Sequence, residues 1–153
     1  MTSQGLEIRH PRLQDAQPLC AFFSSLSARG DEALFHPHPL NNSEAQRICA
    51  YSGQDLYYVI TENLDVLGYG MLRGWDTGHT VPSLGIAISL SARGHGLGTL
   101  LVQFLHTAAK RRGAKKVMLK VYKSNMIARN MYEKLGYKLV DTGSDHLVGN
   151  YLL

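Results

Sequence analysis

Residues 92–105, "ARGHGLGTLLVQFL", crowd Gly94, Gly96 and Gly98 into five positions and then run into an apolar stretch. Arg93 precedes the cluster, and His95 and Leu97 are interleaved with it. Downstream, Leu97, Leu100, Leu101, Phe104, Leu105 and Ala108 recur on one face of a 3.6-residue helix, the clearest amphipathic helix in the chain. Upstream, residues 83–90 (SLGIAISL) read as a strand that feeds directly into the glycines. Two familiar strand–loop–helix readings fail here. A dinucleotide fingerprint needs G-x-G-x-x-G and an acid about 20 residues on, whereas the spacing is G-x-G-x-G and the next acid is Glu133. A P-loop needs Gly-Lys-Ser/Thr, and Leu97-Gly98-Thr99 lacks the lysine. The underlying physics survives both failures: unpaired amides and a partial positive charge at a helix start attract an anion, and residues without side chains let it come close. A turn that only needs positive φ is the plainer alternative, but three glycines behind an arginine exceed what a turn requires.

Working outward, residues 6–11 read as a short strand ended by Pro11. Asp15 is placed to cap a helix carrying Leu19, Phe22, Phe23 and Leu26, with Pro18 tolerated in its first turn and Gly30 at its end. A loop stiffened by Pro37 and Pro39 follows, then a short helix whose Ser43 and Gln46 form a capping box and which ends near Gly53. Residues 56–60 and 66–74 read as a hairpin across Glu62-Asn63-Leu64-Asp65. After the amphipathic helix, ended by Gly113, come a strand (116–122), a helix (125–136) capped by Asn125 with Gly136 beyond its end, and two last strands across residues 142–145. The order predicts a mixed sheet with helices on its faces, in one domain spanning 1–153.

The 153 residues carry a net charge of +4 and 44% hydrophobic residues, which excludes a disordered chain and suits a core without staples. No apolar run reaches the roughly 20 residues of a membrane span, and the first residues lack a signal-peptide core, so a cytoplasmic protein is expected. Cys20 and Cys49 fall in helical segments and read as reduced small hydrophobes. The basic cluster Lys110, Arg111, Arg112, Lys115 and Lys116 sits at a helix end, where it offsets the dipole, and has no aromatic interleaving. No nucleic-acid partner and no membrane partner are expected.

Arg93-Gly94-His95-Gly96-Leu97-Gly98 matches R/Q-x-x-G-x-G/A and resembles the GNAT superfamily of acyl-CoA-dependent N-acetyltransferases. Residues 125–137 (NMIARNMYEKLGY) match a second pattern of that family through Asn125, Ala128, Tyr132, Gly136 and Tyr137. The resemblance implies a mostly antiparallel mixed sheet of about seven strands, with a central parallel pair that splays apart and helices on both faces. It implies acetyl-CoA as co-substrate, its pyrophosphate held by the backbone from Arg93 through Gly94, His95, Gly96, Leu97, Gly98 and Thr99. It further implies pantetheine contacts at Ile88 and Leu90, a ligand role for Asn125 beside its capping one, and phosphate contacts from Arg93 and Arg129. Solvated arginines are the equal alternative for the last two.

Tyr132 is the candidate general acid. A phenol with a pKa of about 10 stays protonated at neutral pH and can protonate a departing thiolate. Its helical stripe with Ala128, Met131 and Leu135 would otherwise make it a core residue. The general base is open among His79, His38, His36 and Asp76, since residues 81–89 contain no acid. His36-Pro37-His38-Pro39 is not a metal site without further ligands, and no metal is expected. Trp75, Tyr57, Tyr58 and Tyr69 line the acceptor pocket or belong to the core. Such a lining inclines toward a small-molecule amine, an amino sugar for example. A protein acetyltransferase and a non-catalytic acyl-CoA-binding module are the alternatives, and a homodimer is compatible with the resemblance.

Overall fold

The computed structural model describes residues 5–28, 30, 35 and 37–153. His36, one of the candidate bases, lies outside the described residues. The elements are β1 (Glu7–Arg9), α1 (Ala16–Ala28), α2 (Asn42–Cys49), β2 (Leu56–Glu62), β3 (Asp65–Arg73), β4 (Ser83–Ile88), α3 (Leu97–Arg111), β5 (Lys116–Tyr122), α4 (Met126–Lys134), β6 (Lys138–Asp141) and β7 (His146–Leu152). They follow the expected order. The seven strands form one sheet in the order β1-β2-β3-β4-β5-β7-β6, antiparallel throughout except for the β4–β5 pair.

The period-two alternation of the strands divides their side chains between two helical layers. Leu56, Tyr58 and Ile60 of β2 pack with Leu101, Val102 and Leu105 of α3 on one face. Tyr57 and Val59 pack with Leu19, Phe22 and Phe23 of α1 and Ile48 of α2 on the other. The β5 residues Val117, Leu119 and Val121 join the α3 side, which turns Met118, Lys120 and Tyr122 the opposite way.

Three local expectations need correcting. The helix α2 is capped by Asn41, whose side chain accepts from Glu44 N at 2.9 Å, while Ser43 lies inside the helix. Asp15 does not cap α1 from outside. It closes a single 3₁₀ turn, Leu13–Asp15, by accepting from Arg12 N at 2.6 Å, and its carboxylate pairs with Arg9 at 2.5 Å. The pairing holds the Asp15 carboxyl below the usual carboxylate range. The strand expected over 83–90 stops at Ile88, and Leu90 begins a 3₁₀ turn, Leu90–Ala92. Arg93 N donates to Leu90 O there, so the chain has already curled before it reaches the glycines.

Candidate active site

The parallel strands β4 and β5 pair at a single position, Ser83 with Met118, and then part. Backbone alternation tells which groups face the gap. Pro82 O accepts from Met118 N across the gap, whereas Ser89 N donates to Leu67 O on the β3 side. Even-numbered residues of β4 therefore direct their backbone toward β5, and past Ser83 these are Leu84, Ile86 and Ile88. A cavity of about 540 Å³ fills the opening, lined by Ile86, Ile88, Gly96, Gly98, Asn125 and Tyr132 among others. Leu90 is not among its lining residues and is exposed.

The glycine cluster divides by physical cause. Gly94 (φ 79°) and Gly96 (φ 83°) stand in the left-handed region that favours glycine, and a Cβ on either would meet nothing within 4 Å. Gly98 has no such conformation; a Cβ there would come 3.0 Å from Met131 Sδ, so it lets α4 close against α3. Gly96 is the N-cap of α3, and no side chain caps the helix. The amides of the first turn are thus left to a ligand or water, and the dipole adds partial positive charge at the cavity wall. Arg93, Gly94, Gly96, Leu97, Gly98 and Thr99 all line that wall, whereas His95 is exposed outside it. Arg93 Nε donates to Ile88 O at 3.3 Å. Arg129 does not line the cavity; its Nη1 donates to Lys123 O at 2.8 Å, which ties α4 to the loop before it.

Across the opening, the Asn125 side chain accepts from Ala128 N at 3.3 Å and starts α4 while it lines the cavity. Tyr132, 5% exposed, belongs both to the α3-side core and to the cavity wall. Burial pushes its phenol well above its ordinary value. The hydroxyl makes no hydrogen bond to another described residue, so its proton is not committed elsewhere in the fold.

A second cavity, about 600 Å³, adjoins the first; both are lined by Phe35, Leu84, Gly85, Lys120 and Val121, so they meet at the β4–β5 gap. His79 lines this second cavity. His38 is elsewhere. It is buried against Phe23, its Nδ1 lies 2.8 Å from Pro39 O and its Nε2 lies 2.8 Å from the Tyr69 hydroxyl. Nδ1 must donate to the carbonyl, so Nε2 accepts from Tyr69. Burial, the largest influence, holds the ring's pKa below its ordinary value. With both nitrogens engaged and its side chain lining neither of the two cavities, His38 is corrected from candidate base to a hydrogen-bonded core histidine. Asp76 also lines neither cavity and accepts from the Tyr51 hydroxyl and from Gln54 N. Tyr57, Tyr58 and Tyr69 are core, and Trp75 packs beneath Arg112. Both cysteines are free, and burial raises the Cys49 thiol to about 11, which disfavours a thiolate nucleophile.

Arg73, Lys120, Tyr122 and His146, which line the second cavity, escaped the sequence reading. Alternation along KVMLKVY was the available signal for Lys120 and Tyr122, because it sets them opposite the apolar Val117-Leu119-Val121 face. Nothing local marks His146, which reaches the cavity through the pairing of β7 with β5 opposite Tyr122.

A splayed parallel pair, an uncapped glycine-led helix and two adjoining cavities at the gap define a mixed α+β fold. The acetyltransferase (GNAT) family model matches residues 23–137, and the chain belongs to that family. An acetyltransferase of Pectobacterium atrosepticum is 32% identical over 87 residues, 57% of this chain and 60% of that protein. A chloroplastic GCN5-related N-acetyltransferase of Arabidopsis thaliana is 33% identical over 58 residues, 38% of this chain and 20% of that protein. The matches thus cover less than two thirds of either relative. Among solved structures, the PaiA N-acetyltransferase of Thermoplasma acidophilum in complex with coenzyme A aligns with TM-score 0.81 at 15% identity, over 98% of this chain and 100% of that one. A microcin C7 self-immunity acetyltransferase in complex with acetyl-CoA and AMP aligns with TM-score 0.77 at 14% identity, over 97% and 93%. At such identities the likeness establishes the fold.

Proposed function

We propose that this protein is an acetyl-CoA-dependent N-acetyltransferase that acylates a primary amine of a small molecule by direct attack in a ternary complex. The observation that carries this reading is the continuity of the two cavities through the β4–β5 gap, with Tyr132 on the wall of the first and His79 on that of the second. A thioester laid along β4 would meet the outward backbone of Ile86 and Ile88, an edge-strand addition by the pantetheine amides. Its pyrophosphate would rest on the amides of Gly94 to Thr99, with Arg93 alongside and Asn125 facing it.

The chemistry then follows from the groups present. The amine lone pair adds to the thioester carbon, a proton leaves the nitrogen, and the C–S bond breaks as sulfur departs with the electron pair. Tyr132 supplies the proton that sulfur needs; its raised pKa keeps the phenol protonated at neutral pH. His79 is our candidate to receive the amine's proton, directly or through water. An amino sugar is one member of the acceptor class, and the free thiols suit a cytoplasmic setting.

Coenzyme A is expected to raise the thermal midpoint, and thiol release from acetyl-CoA is expected with part of an amine panel. Tyr132→Phe should lower kcat by about 100-fold or more while the coenzyme A shift persists. Full activity in that variant would remove Tyr132 from the mechanism. A wild-type thermal shift without turnover of any amine would favour the binding-module reading, and no shift at millimolar coenzyme A would reject the acyl-carrier site.

A further inference from the structure

Resting on the acetyltransferase reading, we infer that the acceptor carries an anionic group, a carboxylate or a phosphate, on the same small molecule as its amine. The second cavity is the basis. Its wall holds the guanidinium of Arg73 and the ammonium of Lys120, with His79 and His146 beside them and, among the described residues, Asp55 as the one carboxylate. The carboxylate is already occupied, because Asp55 Oδ1 accepts from Gly74 N at 3.0 Å and from Asp76 N at 3.2 Å. Those bonds hold the turn after β3 and commit Oδ1 of the carboxylate to backbone amides. Among the described residues no ion pair engages Arg73 or Lys120, and the charge of Arg73 reaches the Glu44 carboxylate only without direct pairing.

Arg73 is held, not loose. Its Nη1 donates to Pro37 O at 2.7 Å, which fixes one arm of the guanidinium and leaves further N–H donors. Sheet register puts Arg73 opposite Ser83, and Ser83 opposite Met118, so Arg73 stands in the row where β4 and β5 are still joined. Lys120 lies two residues beyond Met118, toward the splayed end, and is the one charged residue that lines both cavities and lies on a strand. An acceptor filling this space would bring its amine to the shared junction at Leu84, Gly85 and Val121 and its anion to the cationic wall. An acceptor bearing only ammonium charge would face the two cations of that wall, Arg73 and Lys120, against the single described carboxylate Asp55. The same wall disfavours the protonated form of the incoming amine, which is the form that cannot attack.

The test uses matched acceptor pairs at saturating acetyl-CoA: phenylalanine against phenylalaninamide, and glucosamine 6-phosphate against glucosamine. The pairs separate carboxylate from phosphate as the recognised anion. In at least one pair the member bearing the carboxylate or phosphate should show a kcat/KM about tenfold or more above its partner without it. Lys120→Gln should bring the ratio toward one, and Lys120→Arg should restore it; Arg73→Gln provides a second reading at the joined end of the cleft. Binding of coenzyme A to each protein is measured alongside by calorimetry. If coenzyme A binds but both pairs show no preference, whether turned over or not, this inference is overturned and the acyl-carrier reading stands. A preference for the members without the anion, or a ratio indifferent to both Lys120→Gln and Arg73→Gln, overturns it equally. If coenzyme A does not bind at all, the functional reading fails and takes this one with it.

Discussion

At the scale of single residues, the glycine loop separates two demands that look identical in a sequence. Gly96 is needed for its backbone angle, Gly98 for the space its missing Cβ leaves beside Met131. A Cβ at position 96 meets no neighbour, so Gly96→Ala should cost about 1 kcal/mol from the left-handed conformation alone. Gly98→Ala gains helix propensity of about the same size, and the flexible Met131 side chain can yield, so its net effect on stability should be less than half as large. Urea denaturation of the two variants checks this; equal losses at both positions would mean that conformation does not distinguish them. Tyr132 shows a similar doubling of roles. Its place in the apolar stripe and its place on the cavity wall are both real, and the two are compatible because a phenol can bury its ring while its hydroxyl faces an opening.

At the scale of elements, α3 and α4 form the two jaws of the cleft, and α4 depends on a single cap. Asn125 accepts from Ala128 N and thereby starts the helix that carries Tyr132. Asn125→Ala should cost about 1 kcal/mol of stability and, by loosening the first turn of a nine-residue helix, weaken coenzyme A binding as well. Calorimetric titration beside thermal denaturation measures both, and an unchanged affinity would show that Asn125 serves the helix alone. The element order was legible because hydrophobic period, glycines and caps agree along most of the chain. The errors came where two local signals competed. Asn41 and Ser43 are both good caps two residues apart, and the backbone took the earlier one. Leu90 continues the apolar run of β4, yet the turn that delivers Arg93 to Ile88 O ends the strand first. The glycine-loop wall of the first cavity was readable because it is built from contiguous residues on one loop and one helix. The second cavity was not, because Arg73, Lys120 and His146 come together only through the pairing of β3, β4, β5 and β7.

At the scale of the whole molecule, the α1/α2 layer is held to the sheet by groups whose protonation differs between folded and unfolded chains. His38 is kept neutral by burial, reinforced by Arg73 and Arg47 and opposed by Pro39 O and Glu44. His106, on the opposite face and 2.6 Å from the Tyr137 hydroxyl, is likewise lowered by burial. Both have folded pKa values below the unfolded value of about 6.5, so the unfolded chain binds more protons as the medium turns acidic. Their contribution is present above about pH 6.5 and declines as pH falls through the lower folded values. Asp15, lowered by Arg9, adds a separate loss that begins only below the unfolded carboxylate value of about 4. Stability measured by urea unfolding should therefore fall in two stages, the first setting in as pH drops below about 6.5 and the second below about 4. His38→Gln keeps an acceptor for Tyr69 but cannot take up a proton, so it should flatten the first stage even if it lowers stability at pH 8. Adding His106→Gln should flatten it further, and Asp15→Asn should flatten only the second stage. A first stage of undiminished slope in the double histidine variant would assign the acid response to other groups and separate the His38–Tyr69 contact from the pH behaviour of the fold.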